Sequence, residues 1–360
     1  MTISASALGH PRMNDDFDDN DRPSAHGRVK MADIARMAGV SVSSVSRALA
    51  GSPLIPAPLR ERIHAIAREQ GYVVNQAARA LRLQTTRTIG LILPLGHEVG
   101  HPVSDPFLLE LIGALADEVI ARGYDLLLSK VTTTQDGWLH ELTRSQRFDG
   151  LLVLGQSDQH AALNDVARDY PGMVVWGDFV RGQRYCTVGV NNAACGRRAT
   201  EHMLKGGCRD LVFLGPSGVP ESDARYEGYA QALAESEFRV AEPVQYETRF
   251  LDGAAVEVVR DLIAQRYRFD GLVCASDVIA QGAIKALAEG RLRVPQDVAV
   301  CGFDDVAAAQ TLGLTTVRQD RVAGARHMVD LLFRRMSGEV APPLRLPADL
   351  VVRQTTRPVA

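Results

Sequence analysis

A chain of 360 residues with 46% hydrophobic and 23% charged side chains has the make-up of a globular protein with material for two or three domains. No apolar run approaches the ~20 residues of a membrane-spanning helix, and the opening MTISASALGHPRMNDDFDDNDRPSAHGR has neither the basic start nor the apolar block of a signal peptide, so the expected location is the cytoplasm. Five cysteines without CxxC spacing argue against a disulfide framework or a zinc site, and the net charge of −3 conceals a strong local imbalance.

Residues 1–27 hold five aspartates, two arginines and few apolar groups, too little to repay the entropy of ordering, and are expected to be a disordered acidic tail. Met13 and Met31 are alternative start positions. Val29 to Arg47, VKMADIARMAGVSVSSVSR, predicts two short helices joined by a tight turn. Ile34, Ala35 and Ala38 share one helical face, Gly39 supplies a left-handed turn residue, and Ser41 stands where a hydroxyl can cap the second helix. Val40 and Val45 anchor that second helix. Val42, Ser43, Ser44, Ser46 and Arg47 are then left outward, a surface of little use in a core but suited to a DNA major groove. Between residues 28 and 87 ten Lys or Arg face three acids, a local net charge of +7 that reads as a nucleic-acid footprint.

Pro56 to Gly71 predicts a third helix, with Leu59, Ile63, Ile66 and Ala67 on one stripe, completing a small domain over 28–75. Residues 76–87 form a short Ala- and Arg-rich hinge, too short for a stable isolated helix. There Leu81 is placed to wedge between base steps in a minor groove once DNA orders the segment. From Thr88 onward buried apolar strands (TIGLILP, YDLLLSKV, FDGLLVLG, MVVWGD, DLVFLGP, FDGLVCAS, DVAVCGFDD) alternate with amphipathic helices. That pattern means parallel sheets with helices on both faces. The FDGL segment occurs at Phe148–Leu151 and again at Phe269–Leu272, hinting at two similar lobes with a ligand between them.

In this order the chain resembles the lac and gal repressor family of bacterial transcription regulators from about residue 28 onward. The motifs that carry the likeness include DIARMAGVSVSSVSRALAGSP at 33–53, GYVVNQAARALR at 71–82, RTIGLILP at 87–94, SDPF at 104–107, ARYEGYAQAL from 224, CASDVIAQGAIKAL from 274, LRVPQDVAVCGFDD from 292 and LTTVRQD from 314. The resemblance implies an all-α helix-turn-helix headpiece and an α/β two-lobed body of the periplasmic-binding-protein kind. Its expected N-lobe spans about 88–189 and 318–347, and its expected C-lobe about 190–317 and 348–360.

By the same resemblance, Val42, Ser43 and Arg47 read bases, Ser41 and Ser46 lie near phosphates, and Leu81 kinks the operator at its centre. Ala50 replaces a common asparagine and removes one polar contact. Arg225, Asp304, Asp178, Ser276, Asp277, Phe250 and Phe107 are the implied effector contacts. Carboxylates and an arginine suit a ring of hydroxyls, and aromatic faces suit the apolar side of a sugar, so a mono- or disaccharide is the expected effector. A purine is the competing ligand, disfavoured because Val219 and Glu221 stand where purine-binding relatives use an arginine and a threonine. Double-stranded operator DNA and a second copy of the chain are the implied partners, with the helix Phe107–Arg122 a candidate dimer face by resemblance and Pro295–Asp305 one by expected apolar exposure alone. No heptad repeat follows Arg353, which favours a dimer over a tetramer. A sugar-binding transport receptor is the rival from another class, against which the DNA-reading segment stands. Without HExxH, GxSxG or a Walker loop the chain reads as no enzyme, with no cofactor and no metal.

Overall fold

The computed structural model describes residues 29–72, 85–94, 103–131, 137–156 and 158–359, which form two units, one before residue 80 and one after it. The tail over 1–27 and Leu81 with most of the expected hinge lie outside the described residues.

The first unit is three helices: α1 (Met31–Ala38), α2 (Val42–Leu49) and α3 (Ala57–Glu69). The Asp33 carboxylate closes the first turn of α1 by accepting from the Lys30 amide at 2.9 Å, and Gly39 ends the helix in the left-handed region at φ 66°. Ser41 caps α2 through its side chain, accepting from the Ser44 amide at 3.2 Å. Ile34, Ala35, Ala38, Val45, Ala48, Ile55 and Ile63 make the core, and each larger aliphatic there contributes about 1.5–3 kcal/mol by leaving water.

The second unit holds two six-stranded sheets. In the N-lobe, β1 (Thr88–Pro94), β2 (Asp125–Val131), β3 (Gly150–Leu154), β4 (Met173–Trp176), β5 (Cys186–Val190) and β11 (Leu344–Leu346) run in the order β11-β5-β4-β3-β1-β2, every pair parallel. In the C-lobe, β6 (Leu211–Leu214), β7 (Gln245–Tyr246), β8 (Gly271–Cys274), β9 (Ala299–Asp304), β10 (Thr315–Gln319) and β12 (Ala348–Val351) run in the order β12-β10-β9-β8-β6-β7. The two orders match strand for strand, so the lobes are repeats of one plan. One departure from the parallel expectation is β12, which pairs antiparallel with β10 at the sheet edge.

Strand periodicity sets the layers. In β3 Leu152 and Leu154 point to one core while Leu151 and Val153 point to the other, and in β4 Val174 and Trp176 oppose Met173 and Val175. Helices α4 (Pro106–Ala121) and α12 (Arg321–Met336) pack together on the first face. Leu139 of α5 (Trp138–Arg144) and Leu163 and Val166 of α6 (His160–Asp169) fill the second. In the C-lobe, α7 (Asn192–Lys205) and α8 (Pro220–Ala234) pair on one side, and α9 (Asp252–Ala264) with α10 (Asp277–Glu289) on the other; a short α11 (Ala307–Thr311) follows β9. Helices α7 and α8 cross at glycines. A Cβ on Gly228 would lie 1.9 Å from the Ala193 carbonyl oxygen, and one on Gly196 2.1 Å from that of Arg225.

The chain passes between lobes three times: after β5 into α7, after β10 into α12, and at Pro347 between β11 and β12. Strand β10 continues to Gln319, and the chain returns to the N-lobe after that residue. Pro295–Asp305 was expected to offer an exposed apolar face. It is mostly β9, a central strand buried along its length between β8 and β10. Helix α4 does leave Leu109 at 49% and Ile120 at 62% exposure.

Candidate functional site

On α2 the outward residues are Val42, Ser43 and Arg47, with Ser41 at the exposed helix start. Ser41 Oγ lies 2.8 Å from Ser43 Oγ and 2.9 Å from Ser44 Oγ, gathering three hydroxyls where the first-turn amides of a helix with no acid in that turn favour an anion. Ser46 corrects the expectation: it is buried at 8% exposure. At 100° from Val45 it falls on the flank toward Leu49, against the rest of the small domain. Ser44 is half-buried.

In the second unit, the polar groups gather where the strands of both sheets end, and the lobes meet there. Arg225, on α8, is buried. Its Nε donates to Asn192 Oδ1 at 2.9 Å, its Nη1 to the Ala275 carbonyl at 2.5 Å, and its guanidinium lies over the Phe303 ring. Asn192 begins α7, and its amide donates to Asp178 Oδ2 at 3.0 Å, while Asp178 Oδ1 accepts from Arg345 Nε at 3.2 Å. A line of hydrogen bonds therefore runs from Asp178 at the end of β4 to Arg225.

Asp304 ends β9 with φ at +115° and Asp305 follows at +56°, both in the region that disfavours side chains. Several groups hold this pair of strained residues. Gln319 Nε2 donates to Asp304 Oδ1 at 2.8 Å, Arg321 donates to the Asp304 carbonyl and, at 3.1 Å, to that of Asp305, and Arg318 and Arg353 donate to the Asp305 carboxylate at 2.7 and 2.6 Å. Burial drives the Asp304 carboxyl well above its ordinary range, against the pull of Arg225, with Asp277 and Asp105 adding to the rise. Burial lowers the Arg225 guanidinium, and the nearby Asp304 and Glu221 oppose it. An arginine and a carboxyl held dry and close in this way can each bind a hydroxyl, the one by donating and the other by accepting or donating.

The remaining expected contacts sort differently. Ser276 is the N-cap of α10, its hydroxyl accepting from Ile279 N at 3.3 Å. Asp277 is fully buried and both its oxygens are occupied within the C-lobe, Oδ1 by Thr316 Oγ1 at 2.6 Å and Oδ2 by Val306 N at 2.9 Å. It ties α10 to the turn after β9 and is not presented to a ligand, which corrects the expectation. Phe107 is half-buried with its ring tilted against Trp176 at 5.9 Å between centroids. Phe250 is half-buried against the C-lobe core just before α9.

Sequence reasoning missed Asn192, Gln319 and Gln156. All three follow or close a strand, the place where open parallel sheets present their ligand-facing groups, and that rule alone would have found them. Gln156 is buried at 1% exposure; its Nε2 donates to Tyr185 Oη at 2.9 Å, and its Oε1, like Ser222 Oγ, has no hydrogen-bond partner among the described residues. Contacts that join the lobes at this level include Gln156 N to Glu221 Oε1 at 3.4 Å, Ala307 N to Glu110 Oε1 at 3.3 Å, and Arg321, at the start of α12, to the Asp304 and Asp305 carbonyls. Among the described residues no group of three His, Cys, Asp or Glu is placed to hold a metal ion, and no helix is long and apolar enough to cross a membrane.

Residues 30–75 match the model of the lacI family of bacterial regulatory proteins, and residues 200–356 match that of a periplasmic binding protein-like domain. The HTH-type transcriptional repressor CytR of Escherichia coli (strain K12) is 30% identical over 336 residues, covering 91% of this chain and 96% of the relative. The ribose operon repressor of the same organism is 27% identical over 325 residues, with 88% and 96% covered. A crystal structure of the lac repressor dimer bound to operator and the anti-inducer ONPF superposes with a TM-score of 0.81 at 23% identity, over 92% of this chain and all of that one.

Proposed function

Because the chain belongs to the lacI family of bacterial regulatory proteins, we propose that it represses genes of carbohydrate uptake and breakdown and is released from its operator by a saccharide. The family makes it a DNA-binding transcriptional repressor. The saccharide reading rests on one observation above the rest: Arg225 and Asp304 are buried together at the strand ends, with Asn192 and Gln319 fixing their orientation. Such a pair offers directional donors and acceptors to neutral hydroxyls. A phosphorylated or carboxylated effector would meet Glu221 and Asp178 as well, and repulsion disfavours it. The ribose operon repressor among the relatives supports the same class.

A sugar acts on such a protein only through its affinity difference between two arrangements of the lobes. The Ala307–Glu110 and Gln156–Glu221 bonds are contacts that a change of arrangement would make or break. In this reading Val42, Ser43 and Arg47 face base edges, Ser41 faces a phosphate, and the protein works in the cytoplasm as a homodimer through the exposed Leu109 and Ile120 of α4. The lac repressor likeness, a dimer on operator, supports that assembly.

A thermal-shift panel of mono- and disaccharides, sugar phosphates and purines tests the effector class. A ligand at ~100 times its dissociation constant adds ~2.7 kcal/mol to the folded state. One neutral sugar that shifts the wild type and leaves an Arg225→Lys variant unmoved is the expected result. A purine shift in its place would overturn the saccharide reading.

A further inference from the structure

Two segments read Phe-Asp-Gly-Leu, and the aspartate does the same work in both lobes. Each opens the strand beside the first strand of its sheet, β3 beside β1 and β8 beside β6. Asp270 accepts from the amides of Arg209, at 2.9 and 3.0 Å, and Asp210, at 2.9 Å, while its own amide donates to the Asp210 carbonyl at 3.0 Å. Asp149 accepts from Thr86 N at 2.6 Å, Thr86 Oγ1 at 2.9 Å, Arg87 N at 3.0 Å and Thr85 Oγ1, while its own amide donates to the Thr88 carbonyl at 2.8 Å.

Two differences separate these clamps. The C-lobe clamp closes a turn between α7 and β6, wholly inside its lobe. In the N-lobe, Thr85–Arg87 are the residues through which the chain arrives from the DNA-reading helices. Second, Arg87 is held at φ +51°, a left-handed conformation for a residue other than glycine, whereas Arg209 and Asp210 are not among the positive-φ residues. Strain of that kind persists only where surroundings over-determine it. Here the surroundings are the Asp149 carboxylate on the Arg87 amide, the Asp125 amide on the Arg87 carbonyl at 2.9 Å, and the Tyr124 ring 5.9 Å from the guanidinium. Burial works to raise the Asp149 carboxyl, and the bonds from Thr85, Thr86 and Arg87 more than offset it, so the group stays ionised.

We propose that Asp149 is a positioning residue for operator binding: its carboxylate fixes the direction in which the chain leaves the N-lobe toward the DNA-reading helices, so that the lobe's arrangement is transmitted along one path and not lost in a slack joint. Asp270 performs the capping alone. The proposal rests on the DNA-binding reading above and concerns a residue that touches neither DNA nor effector.

The full-length protein first selects a duplex from a random-sequence library, and that duplex is the probe for binding by fluorescence anisotropy. Asp149→Asn is expected to weaken binding about tenfold, in the range of coupling changes made by residues remote from a ligand. Asp270→Asn lowers the melting temperature at least as much and leaves affinity within about twofold. Thr86→Val, which keeps the fold and removes one of the bonds, gives an intermediate loss at a near wild-type melting temperature. Wild-type affinity in Asp149→Asn, or losses in the two aspartate variants that simply follow their melting temperatures, overturns the proposal. Failure of the wild type to enrich any duplex removes the DNA-binding premise and the proposal with it, and is distinguishable because it precedes every variant.

Discussion

The guanidinium of Arg225 sits 3.6 Å from the centroid of the Phe303 ring, and Phe303 is the residue before Asp304 in the same strand. One strand therefore supplies both the flat face that supports the arginine and the carboxyl that faces it. Arg225→Lys keeps the charge, loses the planar stack, and cannot make both the Asn192 and Ala275 bonds in the same geometry. The expected cost is about 2 kcal/mol of stability, read as a lower melting temperature, together with loss of any sugar-induced shift. A variant that retained the full sugar response would exclude Arg225 from the effector site.

Asp277 gives a prediction in pH. Burial pushes its carboxyl up to about 7, against the bonds from Thr316 and Val306 that favour the charged form. The unfolded value is near 3.9. A carboxyl raised on folding contributes stability that is present below the unfolded value and lost as pH rises through the folded one. Asp304, raised in the same direction, adds to the trend. The wild type is expected to melt at a lower temperature at pH 8 than at pH 5, and Asp277→Asn, which cannot titrate, to lose roughly half that dependence or more. Melting curves of both proteins across that range decide it, and parallel slopes would show that Asp277 does not carry the effect.

At the crossing of α7 and α8 there is no room for a methyl group. Gly228→Ala would place its Cβ against the Ala193 backbone, so the helices must separate, at an expected cost of about 3 kcal/mol. Because Asn192 and Arg225 sit one on each helix, the same separation stretches their 2.9 Å bond. Calorimetry and sugar titration on one preparation should show both losses together. A stable variant with weakened sugar binding would assign the crossing to function more than to packing.

Arg47 is exposed on α2, and its side chain stands outside the small domain's core. Arg47→Ala should leave stability within about 0.5 kcal/mol and weaken binding to a selected duplex by about 10- to 100-fold, the worth of a two-bond contact to guanine. Replacing Val42 or Ser43 should instead change which duplex is selected. An Arg47→Ala protein with an unaltered sequence preference would remove Arg47 from the reading surface.

The parts of this structure written in local signals were legible from the sequence. Gly39 and Ser41 mark the turn and cap of α1 and α2, and apolar runs mark β1, β3, β4, β6, β8 and β9. Strand β10 was recognisable only as a motif, since Thr315 and Thr316 read as polar. Both are fully buried because distant groups satisfy their hydroxyls, Thr356 at 2.8 Å from Thr315 and Asp277 at 2.6 Å from Thr316. The same non-locality hid the roles of Asn192 and Gln319, which converge on Arg225 and Asp304 from the start of α7 and the end of β10. Ser46 was misjudged for the opposite reason, since the side of a short helix that packs cannot be fixed to within one residue by period alone. The repeated FDGL was visible from the start, but the task of its aspartate appears only once Thr85–Arg87 and Arg209–Asp210 are seen beside it.

The one-residue passage at Pro347 between β11 and β12 bears on how the protein is made. On the ribosome, five strands of each sheet emerge long before either sixth strand, and both sixth strands emerge within a single eight-residue stretch, Leu344–Val351. Until then β5 and β10 each present a bare edge, in two lobes at once. A chain terminated between Gln319 and Leu344 would expose both edges together, so premature termination there should yield aggregation-prone protein in place of a half-functional repressor.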